Sequence, residues 1–79
     1  MRETNVQKTG QILIDNYEKY YRLAYSYTRT QEDALDVVQE SAYKAIRDCN
    51  KVENPNYIST WIYRIVVNTS IDLLRKRQK

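Results

Sequence analysis

The stretch from Ser59 to Arg77, Ser-Thr-Trp-Ile-Tyr-Arg-Ile-Val-Val-Asn-Thr-Ser-Ile-Asp-Leu-Leu-Arg-Lys-Arg, decides the fold. With Ile58 in front, its Trp61, Ile62, Ile65, Val66, Thr69 and Leu73 gather on one face of a helix. The other face shows Thr60, Tyr63, Arg64, Val67, Asn68, Asp72 and Arg75. The helix closes on Arg75-Lys76-Arg77, where cations suit the negative end of the helix dipole. Asn54-Pro55 marks its start, an N-cap residue followed by a proline preset for the first turn.

Reading back toward the N-terminus, Cys49 to Asn56 has no periodicity and is rich in Asn, so it reads as a connecting loop. Before it, Thr30 is placed to cap a second helix, with Asp33 three residues on as a weak substitute for the Glu of a capping box. Ala34, Val37, Val38, Ser41, Ala42, Ala45 and Ile46 form its apolar stripe, which ends near Cys49. From Gln11 to Tyr27, the positions Leu13, Tyr17, Tyr20, Ala24 and Tyr27 are spaced four, three, four and three, which predicts one more helix. Its bulky tyrosines would face the small residues of the second helix. Residues 1–10 are polar and contain Gly10, and read as a flexible lead-in to a domain over residues 11–79. The expectation is an all-α, compact bundle of three main helices. One Gly and one Pro in 79 residues are too few for the tight turns of a β-rich fold.

The composition narrows the chemistry. A chain of 79 residues makes one small domain without room for a large internal active site. There is no His, and Cys49 is the only Cys, so His-based metal sites, His general bases and a disulfide within the chain are excluded. Asp36 and Glu40 share a helix face with Glu32 and Asp33 nearby. Solvated carboxylates of this kind lack the pocket that acid–base catalysis needs. No enzyme, metal or cofactor is expected. The longest apolar runs, Ile12-Leu13-Ile14 and Ile65-Val66-Val67, fall far short of the roughly 20 residues of a membrane span. The chain reads as cytoplasmic, with no membrane insertion.

Charge is distributed unevenly. Residues 32–53 hold six acidic and three basic side chains, whereas residues 64–79 hold five basic and one acidic. An acidic middle and a basic end suggest two different partners. Trp61, Tyr57 and Tyr63 lie close in sequence to Arg64, Asn68, Arg75, Lys76 and Arg77. Aromatic rings that stack on bases, with cations that follow the backbone, are what single-stranded nucleic acid requires. An Asn amide can read a base edge.

Two separate segments also resemble a known family. Asp36-Val37-Val38-Gln39-Glu40, then Tyr43-Lys44-Ala45, resembles the Asp-apolar-apolar-Gln-Glu segment of bacterial sigma-70-type sigma factors. Ser59-Thr60-Trp61-Ile62-Tyr63-Arg64-Ile65 with Asn68, Asp72 and Arg75 resembles a motif of extracytoplasmic-function (ECF) sigma factors. Tyr20 to Tyr25 is similar to the first core helix of that family. The resemblance covers about residues 12–79 and implies the region 2 domain alone, without the helix-turn-helix domain that reads the −35 element. It implies docking on the β′ clamp coiled coil of RNA polymerase core through Asp36, Gln39, Glu40, Tyr43, Lys44 and Arg47. It further implies capture of the single-stranded non-template strand of the promoter −10 element through Asn50, Lys51, Asn54, Trp61, Arg64, Asn68, Arg75, Lys76 and Arg77. The segment from Asn50 to Asn54 would choose the base, and an anti-sigma factor is a further expected partner.

Two other readings fit the residues less well. A helical protein-interaction module would use Trp61 and the tyrosines purely as core. A helix-turn-helix binder of duplex DNA would need a turn of about 3–4 residues between its last two helices. The Cys49–Asn56 connection is longer.

Overall fold

In a computed structural model the described residues run from Thr4 to Gln78. They form four helices and no strand: α1 (Asn5–Asp15), α2 (Tyr17–Thr28), α3 (Gln31–Asp48) and α4 (Ile58–Arg77). Two short 3-10 turns, Cys49–Lys51 and Pro55–Tyr57, lie between α3 and α4. The all-α expectation holds, with one helix more than the three expected.

The extra helix comes from a break at Asn16 within the first expected helix. The Asn16 side chain donates to the carbonyl of Ile12 at 2.9 Å, and its backbone N–H reaches the same oxygen at 3.0 Å. An Asn amide that bonds the preceding turn gives the backbone an alternative to continuing the helix. The break resets the phase of the apolar stripe. Tyr20 and Ala24 are buried as expected, but Tyr17 and Tyr27 are exposed. The reading of residues 1–10 as a flexible lead-in also needs correction. From Asn5 onward that stretch is helical, and Thr9 is fully buried. Its start is a capping box. Thr4 Oγ1 accepts the Gln7 N–H at 3.1 Å, and Gln7 Oε1 accepts the Thr4 N–H at 3.0 Å. Met1 to Glu3 lie outside the described residues.

Thr30 caps α3 as its position in the sequence implies, accepting the Asp33 N–H at 3.2 Å. Just before it, Arg29 closes α2 in the left-handed region, at φ 67°. Along α3, Ala34, Val37, Val38, Ser41 and Ala45 are buried, whereas Ile46 is largely exposed. Ala34, Val37, Val38 and Ala45 meet Tyr20 and Ala24 of α2 and Ile58, Ile62 and Val66 of α4 in one core. Fully burying an Ile such as Ile58 or Ile62 contributes about 1.5–3 kcal/mol. Burial also pushes the Tyr20 phenol above its ordinary range, partly offset by Ser59 of α4. Cys49 is buried at the end of α3, a small residue closing the helix. Helices α2, α3 and α4 pack on one another, and α1 lies against α3 and the first 3-10 turn.

Candidate nucleic-acid interface

Helix α4 carries the candidate interface along a stripe that borders the core at Trp61 and is otherwise exposed. At about 100° per residue, Trp61, Arg64, Asn68 and Arg75 fall within about 60° of one another around the helix. Arg64, Asn68 and Arg75 are exposed, and Trp61 is half-buried against the core. The Arg64 guanidinium lies 5.9 Å from the centre of the Tyr57 ring, a cation–π distance.

Trp61 forms one wall of an open cleft of about 490 Å³, bounded also by Asp48, Lys51, Val52, Glu53, Asn54 and Tyr57. Three of the expected DNA-binding residues, Lys51, Asn54 and Trp61, are therefore brought together. Asn54 Oδ1 accepts the Asn56 N–H at 3.0 Å and so caps the Pro55–Tyr57 turn, not α4 as expected; α4 begins three residues later, at Ile58. Asn50 is exposed on the neighbouring turn. Lys51 reaches Asp48 at 3.6 Å. The Asp48 carboxyl is held below its ordinary range, chiefly by Arg47, with Lys51 adding to the effect.

The end of α4 is arranged differently. Arg77 comes eleven residues after Val66, about three turns on, and so lies on the inward side of the helix. Its guanidinium grips both oxygens of the nearly buried Asp33 carboxylate, with Nη2 to Oδ1 at 2.7 Å. Arg77 holds Asp33 below the ordinary carboxylate range, with Thr30 adding to the effect. Of the basic run, then, Arg75 continues the exposed stripe while Arg77 joins the end of α4 to the start of α3. Lys76 borders a groove between α3 and α4 together with Asp36, Glu40 and Asp72. The structure thus sets one residue expected at DNA beside two expected at the polymerase.

On α3, Asp36, Gln39, Glu40 and Tyr43 are exposed. Lys44 does not simply extend outward. Its Nζ lies 3.5 Å from Glu40 and donates to Thr69 Oγ1 of α4 at 3.1 Å. Arg47 lies over the Tyr43 ring at 5.5 Å and bonds Asp48 through two nitrogens, at 2.8 and 3.1 Å. Together, Lys44–Thr69 and Arg77–Asp33 run α3 and α4 antiparallel, with the Trp61 cleft at one end of the pair and the Arg77 ion pair at the other.

The match to known proteins covers both parts. The sequence model of the Sigma-70 region 2 family matches residues 13–79. The chain belongs to the sigma-70 region 2 family. The similarity is 49% identity over 67 residues with RNA polymerase sigma factor SigV of Bacillus subtilis, covering 85% of this chain and 40% of that protein. With ECF RNA polymerase sigma factor SigM of Mycobacterium tuberculosis it is 35% over 66 residues, covering 84% and 34%. With ECF RNA polymerase sigma factor SigW of Bacillus subtilis it is 33% over 67 residues, covering 84% and 36%. The chain thus spans two-fifths or less of the length of these relatives. No solved structure matches it. A sigma region 2 domain is not an enzyme. No helix among the described residues is long and apolar enough to cross a membrane.

The sequence reading of this region 2 domain missed three residues that shape the candidate interface. Asn5 donates from α1 to the backbone of the cleft loop. The Thr4-x-x-Gln7 pattern was the available signal that a helix begins there. Asp33 reads in the sequence as a capping residue and one of several solvated carboxylates, not as the partner of Arg77. The helical phase of Arg77 relative to Val66 could have shown that it needed an inward partner. Thr69, the partner of Lys44, carried no signal beyond its place on the apolar face.

Proposed function

We propose that this region 2 domain is the part of a transcription initiation factor that docks on RNA polymerase core and holds the opened −10 element of a promoter. The observation that carries the reading is the alignment of the Trp61 cleft with Arg64, Asn68 and Arg75 along one exposed face of α4. A base extruded from the duplex enters the cleft beside Trp61, with the Asn68 amide in reach of base edges farther along. Arg64 and Arg75 follow the phosphates, which supply affinity but not sequence information. Stacking of a base on an aromatic ring is worth about 1–3 kcal/mol, comparable with the few kcal/mol that unpairing costs. The chain does no covalent chemistry; it holds a strand in the open form.

Docking on the β′ clamp coiled coil falls to Asp36, Gln39, Glu40 and Tyr43 on the exposed face of α3. Lys44 and Arg47 shape that face through their bonds to Glu40, Thr69 and Asp48. The relatives' names, each an RNA polymerase sigma factor, support RNA polymerase as the partner. An anti-sigma factor acting on such a domain would cover one of these two faces.

The test is an NMR titration of the chain with a β′ clamp coiled-coil fragment, then with a −10-like single-stranded oligonucleotide. The first should shift signals from Asp36 to Arg47, and the second those of the cleft and of Asn68. Glu40→Lys should weaken the first interaction and spare the second. Absence of shifts with both ligands near millimolar concentration would sink the reading.

A further inference from the structure

We infer that Asn5 is a positioning residue for the cleft loop, and that α1 thereby sets which base the cleft accepts. The base-selection half rests on the DNA reading proposed above; the loop-positioning half does not. The capping box of Thr4 and Gln7 fixes the first turn of α1 and places Asn5 as its first helical residue. From there the Asn5 Nδ2 donates to two loop carbonyls, Cys49 at 3.0 Å and Val52 at 3.1 Å. The Cys49 carbonyl also accepts the Val52 N–H at 3.1 Å, closing the turn. One amide group from a distant helix thus grips both ends of the short segment that presents Asn50 and Lys51.

Beyond this amide, the segment is held by the packing of Val52 against the core and by the exposed Lys51–Asp48 pair. The Cys49 side chain before it and Ile58 after it are fully buried. Between them Val52 is half-buried, and Asn50, Lys51, Glu53, Asn54, Pro55, Asn56 and Tyr57 are exposed. Among the described residues, Asn5 makes the only side-chain hydrogen bonds that reach the loop backbone from another part of the fold. Lys51 and Val52 are themselves walls of the Trp61 cleft. Withdrawing the Asn5 amide leaves the partly buried Val52 carbonyl without this donor and the Cys49 carbonyl with the Val52 N–H alone, and frees one wall of the cleft. A wall held in place before the ligand arrives discriminates shape and avoids the ordering cost of binding.

The isosteric variant Asn5→Asp separates the roles. It removes both donors, and a carboxylate in the first turn favours the helix start. Asn5→Ala serves as the second variant, with no added charge. Far-UV circular dichroism checks that α1 persists, and backbone 15N relaxation reads the loop. Titrations use short single-stranded oligonucleotides that differ at one base. Both variants should keep their helicity and show added motion at Asn50–Glu53. Each should bind the best oligonucleotide about tenfold more weakly, the size of effect expected for two lost hydrogen bonds, with the ratio between bases reduced. Loop relaxation unchanged in both variants would overturn the positioning role. A mobile loop with an unaltered ratio between bases would overturn the role in base selection. A wild-type chain that binds none of the oligonucleotides would overturn the DNA reading, while the relaxation data would still decide whether Asn5 positions the loop.

Discussion

The two ends of α4 both carry residues that the sequence suggests for DNA, and the fold uses them in opposite ways. At its C-terminal end Arg77 is bound by Asp33, so a cation that looks available in sequence is committed within the fold. At its N-terminal end the Trp61 ring borders an open cleft, and the stripe running from it leaves Arg64 and Asn68 exposed. One end fixes how α3 and α4 lie together; the other presents exposed polar side chains beside an open cleft. Basic and aromatic composition therefore says less about an interface than the helical phase at which each residue falls.

Breaking the framework common to both ends should have the largest effect. Ile62 is fully buried between them, and Ile62→Ala should lower stability by about 2–5 kcal/mol, measured by urea denaturation. In a domain this small that is a large share of the total. Loss of both binding activities together would follow from unfolding alone.

Breaking only the C-terminal end is the next effect down. The Asp33 carboxyl has a lower pKa in the folded chain than in the unfolded one, so below neutrality the unfolded state takes up its proton first. The stability it confers is full above the ordinary carboxylate range. It is lost as the pH falls from about 4 through the depressed folded value. Asp33→Asn should lower the urea midpoint near neutral pH and flatten the acid limb of a midpoint-against-pH curve. An acid limb as steep as that of the wild type would show that the ion pair is not its source. The cleft signals in an NMR spectrum should hardly move.

At the other end the effects should fall on binding and not on stability. Asn68→Ala should weaken binding to a −10-like oligonucleotide by about 1–3 kcal/mol, the range for a good base contact, with an unchanged urea midpoint. Unchanged affinity would remove Asn68 from the interface. Arg64→Ala should have the smallest effect and be distinguished by salt. The slope of log affinity against log salt should fall by about 0.7, one single-strand phosphate contact. For Arg77→Ala the same measurement should leave the slope unchanged if its ion pair with Asp33 persists on DNA. A lowered slope would show that Arg77 leaves Asp33 to bind phosphate.

The same contrast explains what could be read from sequence. The stripes of α3 and α4 were legible because each repeats at the helical period after a recognisable start signal, Thr30 for α3 and, three residues early, Asn54-Pro55 for α4. The first expected helix was legible only in part. Asn16 bonds back to Ile12, and nothing in the apolar spacing distinguishes that from an Asn pointing into solvent. Periodicity alone puts Trp61, Arg64, Asn68 and Arg75 within about 60° of one another, but the apolar stripe assigns Trp61 to the opposite face, because a half-buried ring at the edge of the stripe belongs to both. The partners of Arg77, Lys44 and Asn5 could not, because each lies at least 25 residues away and is brought close only by packing.

Trp61 is the only tryptophan in the chain, and it stands half-buried at the wall of the cleft. The protein therefore carries its own optical probe at the place where a base would stack. With excitation selective for the indole over the eight tyrosines, emission comes from that one site. Quenching on adding an oligonucleotide would report cleft occupancy without a label, quickly enough to follow capture of a strand in a stopped-flow instrument.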